Sequence, residues 1–247
     1  MPGIRVIVLA ALAFVVLAGG ASARASGNGE ELRVLFIGNS FTSTNNLPAR
    51  VAELAAATGR TMRARAIVVD GFSLEDHWRQ GAARAALASA EWDAVVMQQG
   101  PSSLPENQEH LRLWATRYAA LARAAGTRPG LLTVWPESRR LKALPAVIAS
   151  YRKAAGAAAA DLYPAGEAWR AAWACDRRVA LYGPDGLHPS RLGTYVAALV
   201  VYGRLFKAPL LASALAPDGV RVRTARLLQA AAAMAVGRRL PPALRCG

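Results

Sequence analysis

Three residue types in this 247-residue chain could together cleave an ester: a serine, a histidine and an acid. Ser40 follows an apolar run, Leu32 to Ile37, that stops abruptly at Gly38, with Asn39 between them. A small hydroxyl residue just past a strand that ends in glycine sits at the carboxyl edge of an open sheet, where such sheets hold their chemistry. A serine there is a nucleophile only if a base takes its proton and a third group orients the base. Histidine is scarce; the chain has His77, His110 and His188. His188 lies in Tyr182-Gly183-Pro184-Asp185-Gly186-Leu187-His188-Pro189, a Gly/Pro-rich loop before a long apolar helix. Asp185 precedes it by three residues, a spacing that can bring both side chains to one side of a loop-to-helix turn. Ser40, His188 and Asp185 are therefore read as nucleophile, base and orienter.

The elements that must position them alternate. Strand-like runs fall at 33–37, 62–69, 94–97, 131–134 and 161–163, and helical patterns at 47–58, 74–88, 106–125, 144–155, 165–174, 191–206 and 222–236. Asn46, Pro48 and Gly59 supply the cap, first turn and stop of the first helix. Strand and helix in strict alternation mean right-handed crossovers and a parallel sheet covered on both faces. The expected fold is α/β: a three-layer α/β/α sandwich with a flavodoxin-like, five-stranded parallel sheet, forming one domain over 26–247.

Gly38-Asn39-Ser40 after the first strand, Gly71 after the second, Gln98-Gln99 after the third and Asp185-x-x-His188 before the last major helix resemble the SGNH, or GDSL-type, hydrolases. The resemblance spans most of the chain in the right order and implies a serine esterase or acylhydrolase. It gives Ser40, Asp185 and His188 the triad roles and makes the Gly71 backbone N–H an oxyanion donor. Two places depart from the pattern. Asn39 stands where the family has aspartate, and Met97-Gln98-Gln99-Gly100 replaces the family's Gly-x-Asn-Asp. The family's asparagine donates a side-chain N–H to the oxyanion; a glutamine has the same donor on a longer arm, so Gln98, or else Gln99, is expected to serve. No metal or organic cofactor is required.

Other chemistries are disfavoured. The elbow of α/β-hydrolases needs Gly-x-Ser-x-Gly, and Thr42 occupies the second glycine's place. Ser150-x-x-Lys153 stands without the partner motifs of penicillin-recognising enzymes. There is no CxxC or HExxH to hold a metal. His77 reads as a solvated residue at a helix start, and Trp135 as a candidate neighbour of the substrate pocket. The formal charge is +14, from 30 Lys+Arg against 16 Asp+Glu, but the cations are scattered and form no stripe interleaved with aromatics. Nucleic-acid binding is not expected; an anionic cell-envelope polymer is a possible partner of such a field.

Residues 1–25 read as a cleaved signal peptide, with Arg5 in the n-region, Val6 to Leu17 as the apolar core, and Ala21-Ser22-Ala23 and Ala23-Arg24-Ala25 both fitting a small-x-small site; an uncleaved membrane anchor is the alternative. An exported protein with two cysteines, Cys175 and Cys246, is able to form a disulfide. The substrate expected for an exported enzyme with no long apolar lid segment is an O-acyl ester on a carbohydrate or envelope polymer. A short-chain lipid ester or thioester is the neighbouring alternative. A non-catalytic polymer-binding module on the same fold is the reading from another class.

Overall fold

The computed structural model describes residues 31–238 apart from 90, 213, 214 and 218; the proposed signal peptide and Cys246 lie outside them. Five parallel strands form one sheet: β1 (Leu32–Gly38), β2 (Met62–Val68), β3 (Ala94–Met97), β4 (Arg128–Leu132) and β5 (Asp161–Tyr163). Their order is β2-β1-β3-β4-β5, the flavodoxin-like order expected. The helices are α1 (Ser40–Ser43), α2 (Leu47–Ala56), α3 (Leu74–Gln80), α4 (Ala82–Ser89), α5 (Pro105–Ala124), α6 (Leu144–Ala157), α7 (Ala165–Cys175), α8 (Arg191–Leu205) and α9 (Val222–Ala235). Among the described residues, no helix is long and apolar enough to cross a membrane.

Burial follows from position in the sheet. β1 and β3 lie inside it, and Val34 to Ile37 and Ala94 to Met97 are buried without alternation, as covering on both faces requires. β2 is an edge, and its exposed Arg63 and Arg65 oppose pairing with another chain. α8 is buried nearly all round, between α2, α7 and α9.

Two boundaries differ from the sequence reading. The helix expected over 74–88 is broken into α3 and α4 by Gly81, whose φ of +89° ends α3 in a left-handed cap. β4 begins at Arg128 rather than Leu131. Arg-Pro-Gly reads as a turn, yet Pro129 pairs with β3 where β5 has not begun, so its missing N–H leaves no partner on the β5 side unsatisfied. Cys175, at the end of α7, is disulfide-bonded.

Candidate active site

The ends of β1, β2 and β3 meet at one hydrogen-bonded knot. Asn39 caps α1, its Oδ1 accepting the Phe41 N–H at 3.2 Å, so Ser40 is the first helical residue. Asn39 Nδ2 donates to the Phe72 carbonyl at 2.8 Å, across to the turn that follows β2. An aspartate could cap the helix but could not donate there, which accounts for Gly-Asn-Ser in place of Gly-Asp-Ser. That turn runs Val69 to Phe72, closed by Phe72 N–H to Val69 O, with Gly71 at φ +76° as a type II geometry requires of its third residue. Among the described residues, no hydrogen bond is made by the N–H of Ser40 or of Gly71.

Gln98 does not play the part expected of it. Its Oε1 accepts the Asn39 N–H at 3.1 Å and the Thr42 hydroxyl at 2.8 Å. Its Nε2 donates to Asn39 Oδ1 at 2.8 Å and to the Gln99 carbonyl at 2.7 Å. The amide is saturated and buried, leaving no N–H for an oxyanion. Gln99 is also buried, with Nε2 shared between Ser102 Oγ at 3.1 Å and His110 Nδ1 at 3.5 Å. Both glutamines therefore fix the site's backbone rather than offer a donor. A Cβ on Gly38 would lie 2.5 Å from Gln98 Oε1, so the strand must end in glycine for Gln98 to reach over it. Replacing Gln98 by alanine removes three bonds from the turn that carries Ser40 and a fourth from the Gln99 carbonyl. We expect turnover to fall about a hundredfold, the cost of about 1 Å of misplacement, with the loss in kcat rather than KM.

His77 is not solvated. The Ser73–Asp76 capping box starts α3 at Leu74, which turns His77 inward to full burial. Its Nε2–H donates to the Gly38 carbonyl at 2.7 Å, and burial holds its pKa below the ordinary histidine value. It is a neutral brace under the end of β1, with Nδ1 unpartnered.

The loop between α7 and α8 brings Asp185 and His188 together. Asp185 Oδ1 accepts the N–H groups of Leu187 and His188, both at 3.0 Å, and Oδ2 receives His188 Nδ1 at 2.5 Å. The Asp-x-x-His spacing is thus an Asx turn that closes on its own histidine. His188 Nε2 is buried and has no hydrogen-bond partner, and the ring packs against Phe41, centroids 6.0 Å apart, next to Ser40 in the chain. No hydrogen bond joins Ser40 to His188 among the described residues.

The Leu187 N–H first, then the His188 ring, holds the Asp185 carboxyl down at about 2 from its ordinary 3.8. A carboxyl depressed on folding stabilises the fold above its unfolded value and loses that contribution as pH falls from about 4 towards 2. We expect its carboxyl carbon to titrate in NMR with a midpoint near 2. In His188→Ala the midpoint rises but stays below 3.8, because the Leu187 N–H remains.

An aromatic stack, largely missed in the sequence, supports this loop. Trp135 lies flat on Trp169, centroids 3.5 Å and planes 10° apart, and meets Phe41 edge-on at 5.7 Å. Its Nε1–H donates to the Leu187 carbonyl at 3.2 Å. Trp135 is buried and so braces the histidine loop from behind rather than lining a pocket. Trp169 Nε1–H donates to the Gly193 carbonyl, and the Tyr182 hydroxyl donates to the Pro136 carbonyl at 2.5 Å. The i, i+4 spacing of Trp169 and Trp173 was the available sign. In front of the loop a cavity of about 720 Å³ is bordered by Asn45, Tyr182, Asp185, His188 and Arg191.

Solved structures share this architecture. A candidate SGNH hydrolase from Slackia heliotrinireducens is 29% identical, with a TM-score of 0.60 over 71% of this chain and 100% of that one. The chain has the SGNH hydrolase fold. A DUF4886 family protein from Bacteroides uniformis superposes with a TM-score of 0.73 at 21% identity, covering 86% of this chain and 98% of that one. The lipase/acylhydrolase of Enterococcus faecalis gives 0.55 at 16%, over 70% and 95%. No family model and no curated protein matches the sequence. In this chain the ends of β1, β2 and β3 share one edge of the sheet, where Phe41 and Asn45 meet His188 and Pro189 of the α7–α8 loop.

Proposed function

We propose that the chain is a serine hydrolase acting on an ester. Ser40 Oγ attacks the acyl carbon. His188 Nε2 takes the serine proton and returns it to the leaving alcohol, while Asp185 holds Nδ1–H and so fixes the tautomer. The backbone N–H groups of Ser40 and Gly71 stabilise the oxyanion. Water, activated by the same imidazole, then hydrolyses the acyl-serine.

The observation that carries this reading is the His188 ring, held at Nδ1 by Asp185 while Nε2 is buried with no partner. His77 also has a buried, unpartnered nitrogen, but its other nitrogen is held by a backbone carbonyl; the His188 ring is held by a carboxylate and packs against Phe41, the neighbour of Ser40. The SGNH hydrolase fold supports the reaction class, and the acylhydrolase among its neighbours supports an ester as the bond cleaved. Export, and an O-acyl group on a carbohydrate or envelope polymer as substrate, complete the proposal; these rest on the sequence of residues 1–25 and on the basic charge.

The test is hydrolysis of p-nitrophenyl acetate by the purified chain beside His188→Ala. The reading requires turnover in the wild type and its loss in the variant. Equal rates in the two would overturn it. The saturated Gln98 amide favours a second reading, a polymer-binding module without catalysis. In that case both proteins are inert while salt-sensitive polymer binding persists.

A further inference from the structure

The cavity in front of His188 does not end there. Asn45 and Arg191 also border a second one, of about 910 Å³, lying against α2 and α8 and reaching the segment before α9. The two adjoin at these residues, so a ligand long enough to occupy both would lie along a groove that leads away from the histidine loop. Its walls include the apolar Leu54, Leu192, Tyr195 and Leu215, and three arginines, Arg50, Arg191 and Arg221. Arg50 is paired with Glu53 at 2.7 Å. Arg191 takes part in no ion pair among the described residues, and as the first residue of α8 it stands at the junction of the two cavities.

The junction is built, not accidental. Asn45 holds a left-handed conformation, φ +55°, and its Nδ2 donates to both the Pro189 carbonyl and Thr194 Oγ1, at 2.9 Å each. This ties the 3₁₀ turn after Ser40 to the start of α8. The Ser190 hydroxyl caps α8 by accepting from Leu192 and Gly193, which fixes the backbone that presents Arg191. An uncommitted guanidinium between a catalytic loop and an elongated groove matches a planar anion, carboxylate or phosphate, in bidentate geometry.

We propose that Arg191 is a specificity-determining residue and that the groove takes the alcohol part of an extended, anionic substrate, an O-acylated oligomer bearing carboxylate or phosphate groups. This rests on the hydrolase reading for the word substrate, but binding can be measured without turnover. Titration calorimetry of the full chain with tetragalacturonate, with a glycerol-phosphate oligomer and with neutral xylotetraose at low salt tests it. We expect one anionic oligomer to bind and the neutral one not to; which of the two binds tells carboxylate from phosphate. Arg191→Ala weakens binding about tenfold, Arg191→Lys less, and Arg63→Ala, which removes the same charge from the exposed β2 edge, leaves it within twofold.

Equal binding of neutral and anionic oligomers, equal losses in Arg63→Ala and Arg191→Ala, or no binding at all would overturn the proposal. Binding as expected, with p-nitrophenyl acetate left uncleaved, would remove the hydrolase reading and keep the groove. Turnover without anion preference would do the reverse.

Discussion

If the proposed esterase reading holds, we expect Ser40→Ala to reduce ester turnover to the background rate while the protein melts within a degree or two of the wild type. Loss of a serine nucleophile served by a histidine costs on the order of a millionfold in kcat. Almost none of it should appear in stability, because the Ser40 side chain makes no hydrogen bond among the described residues and its burial is only partial. The N–H of Ser40 is untouched, so binding of the substrate carbonyl persists and KM changes little. The assay is the p-nitrophenyl acetate rate beside a thermal melt. Substantial residual turnover in Ser40→Ala would mean that the oxygen attacking the ester belongs to another group or to free water.

Trp169→Ala has the largest expected effect on stability. The side chain is fully buried, stacked on Trp135, edge-on to Trp173 and Tyr182, and hydrogen-bonded to the Gly193 carbonyl. Truncating a buried tryptophan costs about 3–5 kcal/mol through lost transfer energy and the cavity left behind. The stack also supports Trp135, which holds the Leu187 carbonyl one residue from His188, so activity should fall before the fold is lost. Urea unfolding followed in parallel with esterase rate measures both. A loss of under 1 kcal/mol would show that the cluster collapses around the gap and does not brace the loop.

The parts of this molecule legible in the sequence are those fixed by near neighbours. The five strands are short apolar runs with turn residues after them, and only β4 is misplaced, because pairing with β3 overrides the turn preference of Arg-Pro-Gly. Asp185 and His188 were readable because three residues of chain suffice to join them. Gln98 was not. Its place at a strand end suggests a free donor, and its true partners, Asn39 and Thr42, lie 59 and 56 residues away. Whether an amide is free depends on what the fold brings to it, which no local pattern records. His77 shows the same gap: the capping box that turns it inward is local, but the Gly38 carbonyl that needs its proton is 39 residues distant. Trp135 read as a neighbour of the substrate pocket, yet its role with Trp169 behind the histidine loop is a product of the packing of α7 against the chain after β4.

The central claim is that Ser40 is an activated nucleophile. A fluorophosphonate probe tests it most directly, because the probe phosphonylates a serine only when a base removes its proton and an oxyanion site receives the phosphoryl oxygen. The intact chain is incubated with the probe, digested, and the adduct located by mass spectrometry, beside His188→Ala. The account predicts one adduct, on the peptide containing Ser40, and its absence in the variant. An unlabelled Ser40 in a folded protein, or labelling that is equal with and without His188, would contradict it.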